Sequence, residues 1–170
     1  MTPATDTTLS RFLDRLGDFD VSYTRTDPDG VADAVAAALK RPAFGVTLPD
    51  GLGTLPPAVD TDWSPADLRS SATGVTPATL GIADYGSLVL PTTPDGVEPV
   101  SLFTDRHVAV VDARDVVSGM AEALSVLGER FRAERDSAIV ATGPSATADM
   151  GALVKGAHGP MTVHAVVVDQ

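Results

Sequence analysis

The spacing of apolar and polar residues along the chain predicts alternating helices and strands. Helices are indicated where apolar residues recur at intervals of three and four, and strands where short apolar runs end at Gly, Pro or Asp. The predicted helices cover residues 10–16, 28–39, 65–70 and 118–134, with a further short helix after Gly143-Pro144-Ser145. The predicted strands cover residues 21–24, 43–48, 78–83, 87–90, 107–112, 137–142 and 161–168.

This order of elements predicts an α/β fold with a largely parallel central sheet and helices on both faces. Two strands joined by the turn Asp84-Tyr85-Gly86 make an antiparallel excursion near residues 78–90. The chain has 170 residues, which is enough for one domain with its own core. We therefore expect a single domain over residues 1–170, with the polar residues 1–8 disordered.

Acidic residues dominate the charge of the chain. Asp and Glu number 23 against 12 Lys and Arg, and the formal net charge is -11. Such a chain repels nucleic acid and anionic membrane surfaces. The excess is typical of halophilic proteins, whose self-repulsion is screened by concentrated counterions, with an ordinary acidic protein of a GC-rich bacterium as the alternative.

The sequence contains no cysteine, few histidines and no long apolar run, which argues against several kinds of site and against a membrane location. Without cysteine the chain forms no disulfide and cannot ligate an iron–sulfur cluster through thiolates. Three histidines argue against a zinc site, so we expect no metal. No apolar run is long enough for membrane insertion, and the first residues do not resemble a signal peptide, so we expect a cytoplasmic protein.

The strongest candidate site is the segment Gly143–Asp149, at the carboxyl end of a predicted strand. Ligands of open α/β sheets bind beyond the carboxyl ends of strands, and a turn that starts a helix offers free backbone N–H groups to an anion. We expect Gly143, Ser145 and Thr147 to hold a carboxylate or phosphate, with Asp149 capping the turn or meeting a hydroxyl or cationic group. The structural alternative makes Thr147 a helix N-cap and has Ser145 bonding the backbone.

Two further candidates follow this segment. His158 lies in the glycine-flanked loop Gly156-Ala157-His158-Gly159 and suits a general acid/base or a substrate donor. Its alternative role is a hydrogen bond that fixes the loop. Lys155, one of two lysines, is either part of the anion site or a cation at the end of the predicted short helix.

The central turn supplies the remaining candidates. Asp84 and Ser87 flank this turn, and Asp84 either caps it or faces a cleft. His107 and His164 fall within predicted strands, where a structural role is favoured. Neither a nucleophile elbow nor the HExxH or GxGxxG pattern occurs.

A set of short motifs in this order and spacing resembles the LUD-domain family, of the lactate utilization protein C type. The motifs are Gly74-Val-Thr, Gly81-Ile-Ala-Asp-Tyr-Gly-Ser-Leu-Val-Leu90, His107-Val-Ala-Val-Val111, Gly143-Pro-Ser-Ala-Thr-Ala-Asp149 and His158-Gly-Pro160. The resemblance covers roughly residues 20–169. It implies a fold similar to ribose-phosphate isomerases, glucosamine-phosphate isomerases and CoA transferases, and a role beside iron–sulfur and FAD-type partner subunits in oxidising lactate to pyruvate.

The resemblance favours an accessory subunit of an L-lactate utilization system. Such a subunit has no redox centre of its own, binds a small anion, and relies on iron–sulfur clusters in its partners. One alternative is a free-standing isomerase or CoA/acyl-transfer enzyme acting on a small carboxylate or sugar phosphate, with His158 or Asp84 as acid/base. The other is a regulatory module that senses such an anion.

Overall fold

The computed structural model of the protein describes residues 6–134, 136–149 and 152–170. The helices are α1 (Asp6–Asp18), α2 (Val31–Ala38), α3 (Pro65–Leu68), α4 (Val97–Leu102) and α5 (Met120–Glu134). The strands are β1 (Val21–Thr26), β2 (Ala43–Gly45), β3 (Thr73–Pro77), β4 (Leu80–Ile82), β5 (Ser87–Pro91), β6 (Arg106–Asp112), β7 (Val116–Val117), β8 (Ala138–Thr142), β9 (Ala146–Asp149), β10 (Ala152–Lys155) and β11 (Thr162–Val168).

A five-stranded parallel sheet forms the centre of the fold, in the order β1-β11-β6-β3-β2. Its inner strands β6 and β11 are runs of small branched residues, as expected of strands buried on both faces. Val163 of β11 is paired with His107 of β6, which sets the register at their amino ends. Because all five strands run in one direction, their amino ends share one edge of the sheet and their carboxyl ends the other.

A second sheet, in the order β7-β4-β5-β8, lies against the first. The hairpin of β4 and β5 confirms the predicted antiparallel excursion. Strand β8 pairs antiparallel with β5, so that Ser87 lies opposite Thr142. The remaining strands, β9 and β10, form a separate antiparallel hairpin.

Apolar side chains pack on both faces of the central sheet. On one face, Val31 and Val35 of α2 pack against alternate valines of the strands. On the other face, α1, α4 and the second sheet cover the sheet, with Phe12 and Leu16 completely buried. Helix α5 packs on the outer side of the second sheet. The predicted arrangement of helices on both faces of a largely parallel sheet is thus confirmed.

Aspartate side chains accept hydrogen bonds at the starts of α2 and α3. The Asp27 carboxylate accepts a hydrogen bond from the Gly30 N–H at 2.9 Å, although this first turn is a 3-10 turn and α2 proper begins at Val31. At α3, the Asp67 carboxylate accepts from both the Ser64 N–H, at 2.8 Å, and the Ser64 hydroxyl, at 2.6 Å. These caps satisfy backbone donors that have no partner inside the helix.

The predicted short helix after Ser145 is wrong, because the segment forms the β9–β10 hairpin. Four residues offer too short an apolar face for a helix, whereas pairing Thr147 with Val154 and Ala146 with Lys155 supplies ladder partners. Thr147 is therefore no helix N-cap, and Lys155 does not end a helix. The prediction also missed β3 and α4, and it extended the second strand beyond Gly45.

Candidate functional site

A cleft of about 220 Å³ brings three of the predicted site residues together: Gly143, Ser145 and His158. It lies at the amino ends of β6 and β11, beneath β5 and β8. We refer to it as the His158 cleft. Its lining comprises Leu90, Ser101, Leu102, His107, Ile139, Ala141, Thr142, Gly143, Ser145, His158, Gly159, Pro160 and Val163.

The position of this cleft corrects one part of the sequence prediction. The turn at Gly143 does follow the carboxyl end of a strand, but that strand is β8 of the second sheet. Relative to the parallel sheet, the cleft lies at the amino edge, because His107 and Val163 are the second residues of their strands. Neither the carboxyl-edge rule nor a helix N-terminus therefore accounts for a ligand here.

Gly143 allows the chain to turn sharply out of β8. Its φ is +71°, in the left-handed region that side chains disfavour. A Cβ at this position would lie 2.7 Å from the carbonyl oxygen of Phe19. The turn therefore needs glycine for both its backbone conformation and its close approach to the end of α1.

Ser145 joins this turn to the loop that carries His158. Its N–H donates to the Pro160 carbonyl at 2.9 Å, and its carbonyl accepts from the Gly156 N–H at 2.9 Å. Within the part of the chain that the structure describes, its hydroxyl has no hydrogen-bond partner. The backbone is therefore held in place, while the hydroxyl at the cleft wall is available to a ligand.

His158 is exposed and lines the cleft from the loop side. It also lines a second hollow of about 370 Å³ against Thr104 and Asp105. Its ring makes no hydrogen bond to any described residue, so a loop-fixing bond is not observed among them. Its position suits a group that meets ligands from solvent.

The opposite wall of the cleft contains His107, for which the sequence favoured a structural role. Its Nε2 lies 2.8 Å from the Thr76 hydroxyl, and complete burial lowers its pKa to about 4. The ring is therefore neutral near pH 7 and offers hydrogen bonding without charge. His164 does have structural contacts, since its ring lies between the hydroxyls of Ser22, at 2.8 Å, and Thr24, at 3.1 Å.

Ser87 is connected to the cleft through one hydrogen bond. It is buried, and its hydroxyl lies 2.6 Å from the hydroxyl of Thr142, which lines the cleft. Ser87 therefore orients a cleft residue and does not itself line the cleft.

The other predicted site residues lie outside the lining. Lys155 Nζ contacts the Asp20 carboxylate at 2.7 Å, and this hydrogen bond lowers the pKa of Asp20. Asp84 is 3.3 Å from Nε of Arg11, at the turn between β4 and β5. Thr147 belongs to β9, and the side chain of Asp149, at the end of that strand, lies outside the described residues.

The described residues contain neither a membrane-spanning helix nor a cluster of metal-binding side chains. Among them, no helix has both the length and the apolar character needed to cross a bilayer. In the same part of the chain, no group of three or more His, Asp or Glu side chains is arranged to hold a metal ion.

Comparisons with known proteins identify relatives of this chain. A family model described as LUD domain matches residues 36–168. Lactate utilization protein C of Bacillus licheniformis is 34% identical over 103 aligned residues, and the match covers 56% of this chain and 42% of that protein. The match thus spans about two fifths of the length of this relative.

A solved structure shows the same fold. The crystal structure of a DUF162 family protein from Deinococcus radiodurans, at 1.70 Å resolution, superposes with a TM-score of 0.75. The two chains are 24% identical, and the match covers 98% of this chain and 99% of the other. The two proteins therefore share the α/β architecture described above.

Proposed function

Because the chain belongs to the LUD-domain family, we propose that it acts in L-lactate utilization as an accessory subunit. In this role it has no redox centre of its own and binds a small carboxylate in the His158 cleft. Its similarity to Lactate utilization protein C supports a role in lactate utilization, although the match spans only part of that protein. The residues that line the His158 cleft support the binding of a carboxylate.

One observation supports the His158 cleft as the ligand site. Ser145 and His158 line the same cleft, and within the described residues the Ser145 hydroxyl and the His158 ring have no hydrogen-bond partner. Most of the remaining lining is apolar, as is typical of small-molecule sites that orient a ligand by a few polar groups. A carboxylate would accept hydrogen bonds from the hydroxyl and from a ring N–H of His158.

The uncharged His107 ring complements these two groups. A short hydroxy acid presents a hydroxyl as well as a carboxylate, and a neutral imidazole can donate to or accept from a hydroxyl. The cleft volume of about 220 Å³ suits a molecule of only a few heavy atoms. These features favour a three-carbon hydroxy or keto acid over a large cofactor.

The absence of cysteine from this chain supports the accessory role. Iron–sulfur clusters are held mainly by cysteine thiolates, so the electrons of lactate oxidation would travel through other subunits. We propose iron–sulfur proteins as those partners. The chain itself would bring a ligand site and a docking surface.

The accessory role is tested with the isolated protein and with its native cell. The purified protein should be colourless and should not oxidise lactate with an artificial electron acceptor. A pull-down in concentrated salt should recover an iron–sulfur protein, and deletion of the gene should slow growth on lactate. Lactate oxidation by the isolated chain, or normal growth of the deletion strain without any cluster-bearing partner, would contradict the proposal.

One observation favours a second candidate function, a free-standing enzyme. Two histidines, His107 and His158, line the same cleft, and one is buried while the other is exposed. Such a pair is suited to moving a proton in isomerisation or acyl transfer on a small carboxylate. Turnover of such a substrate by the isolated protein would distinguish this function from the accessory role.

A further inference from the structure

A larger cleft, of about 460 Å³, lies at the opposite edge of the central sheet from the His158 cleft. Four parallel strands each contribute the second residue beyond their carboxyl end: Thr47 after β2, Thr79 after β3, Arg114 after β6 and Gln170 after β11. Ligands of open parallel sheets bind at this edge, because the strand ends there converge on one crevice. The proposed carboxylate site does not involve this cleft, which we call the Arg114 cleft.

The guanidinium of Arg114 is held rigidly at this edge. The buried Asp112 carboxylate accepts from the Arg114 backbone N–H at 2.8 Å, from Arg114 Nε at 3.1 Å and from Arg114 Nη2 at 2.8 Å. Gln170 Nε2 donates to the same carboxylate at 2.7 Å, and the Gln170 side-chain oxygen accepts from Arg114 Nη2 at 2.5 Å. The Nη1 group of Arg114 has no partner among the described residues, so a fixed donor remains for a ligand.

A second guanidinium is arranged in the same way. Arg130 donates from Nη1 to the Thr79 hydroxyl at 3.2 Å, and its Nε lies 3.5 Å from the Asp136 carboxylate. No described residue accepts from the Nη2 group of Arg130. Each arginine of the cleft is therefore neutralised by an aspartate of the protein and still has unused N–H donors.

The free acceptors of the cleft are carboxylates. Asp50, Asp95 and Asp115 line it and make no ion pair or side-chain hydrogen bond within the described residues. With Asp112, the lining carries four aspartates and two arginines, so carboxylates outnumber guanidinium groups by two. Phosphate and carboxylate ligands are repelled by this balance. A simple cation would leave the arginine donors without acceptors.

From this arrangement we propose that the Arg114 cleft binds an uncharged, polyhydroxylated ring: a free sugar or the ribose of a nucleoside. Each hydroxyl both donates and accepts, so neighbouring hydroxyls can bond an aspartate and an arginine at once. Pro77, Pro91 and Val97 line the same cleft and supply apolar contact for the C–H face of such a ring.

The test is an NMR titration of the whole chain in concentrated salt, following the backbone amides. Its probes are D-ribose, adenosine, D-ribose 5-phosphate and L-lactate. Ribose or adenosine should shift the amides of Thr47, Thr79 and Arg114 in a saturable way, and ribose 5-phosphate should bind more weakly. Saturable shifts with ribose identify a sugar site, and shifts with adenosine alone identify a nucleoside site.

Paired variants make the expectation quantitative. Asp50→Asn together with Asp95→Asn should weaken binding of the effective probe about tenfold, a loss of about 1.4 kcal/mol. Asp14→Asn, an exposed position on α1, should leave affinity unchanged. The proposal is overturned if neither neutral probe shifts these amides, if ribose 5-phosphate binds more tightly than ribose, or if the variants do not differ from the control. Lactate is followed separately at Ser145 and His158, so failure of one site is distinguishable from failure of the other.

Discussion

The turn at Gly143, which lines the His158 cleft, requires a backbone conformation that glycine adopts readily. Gly143→Ala should lower the free energy of unfolding by about 1–3 kcal/mol, because its φ is +71° and a Cβ would lie 2.7 Å from the Phe19 carbonyl. Denaturant unfolding at constant salt measures the loss. The matched control is Gly17→Ala in α1, where the added methyl would have no atom within 4 Å apart from its chain neighbours and its own helix backbone, and helix propensity predicts a gain of about 0.5–1 kcal/mol. Similar losses in both variants would contradict this role for Gly143.

The burial of His107 predicts that the stability of the protein depends on pH. Burial lowers its pKa in the folded state from 6.5 to about 4, so between these values the unfolded chain takes up a proton and the folded chain does not. The free energy of unfolding should therefore fall as pH drops from 6.5 towards 4, with a contribution from this residue of up to about 3 kcal/mol. His107→Gln, which keeps a hydrogen-bonding group near Thr76, should lose this contribution.

The measurement compares denaturant unfolding of the wild type and of His107→Gln at several pH values. Titration of the carboxylates is common to both proteins, so it cancels in the difference. The stability advantage of the wild type should shrink as pH falls. His158→Gln, at an exposed position, serves as the control. Parallel curves for the wild type and His107→Gln would show that His107 is not held neutral by burial.

Among the secondary structure elements, the β9–β10 hairpin distinguishes the structure from the sequence prediction. Cross-strand nuclear Overhauser effects should connect Thr147 with Val154 and Ala146 with Lys155, because these residues are paired in the antiparallel ladder. Isotope-labelled protein in concentrated salt allows the measurement. Medium-range effects between residues three apart over 146–149, with no cross-strand contacts, would instead indicate the helix that the sequence predicted.

The elements predicted well from the sequence are those whose own residues specify burial. Strands β6 and β11 are continuous apolar runs, and α5 carries an apolar face over four turns, so periodicity alone identifies them. Strand β3 has the sequence Thr-Gly-Val-Thr-Pro and is fully buried only because β2 and β6 enclose it. Its strand structure depends on neighbours distant in sequence, which local patterns do not reveal.

The candidate site could be predicted from the sequence only in part. Gly143, Ser145 and His158 could be grouped from their glycine-rich surroundings, and the structure does place them at one cleft. Lys155 and Asp84 could not be separated from that group, because their partners Asp20 and Arg11 are distant in the chain. The sequence shows only that His107 begins a buried strand, and nothing in it indicates that this residue lines the cleft.

For the whole molecule, the formal net charge of -11 predicts stability that depends on salt. The Debye length falls from ~30 Å at 0.01 M to ~3 Å at 1 M ionic strength, so repulsion among carboxylates is screened. The thermal midpoint should be clearly higher in molar KCl than in dilute buffer. Sucrose, which stabilises by exclusion without screening charge, is the control. Equal midpoints in KCl and dilute buffer would remove the case for adaptation to salt.

The most direct test of the account is whether L-lactate binds in the His158 cleft. In an NMR titration of the whole chain, lactate should shift the amides of Gly143 and Ser145 and the ring signals of His158, and the shifts should saturate. Ser145→Ala should weaken binding about five- to tenfold, the expected cost of one hydrogen bond to a charged group. Ser125→Ala, at an exposed position on α5, should have no effect. Shifts confined to other residues, or equal affinities of the two variants, would contradict a carboxylate site in this cleft.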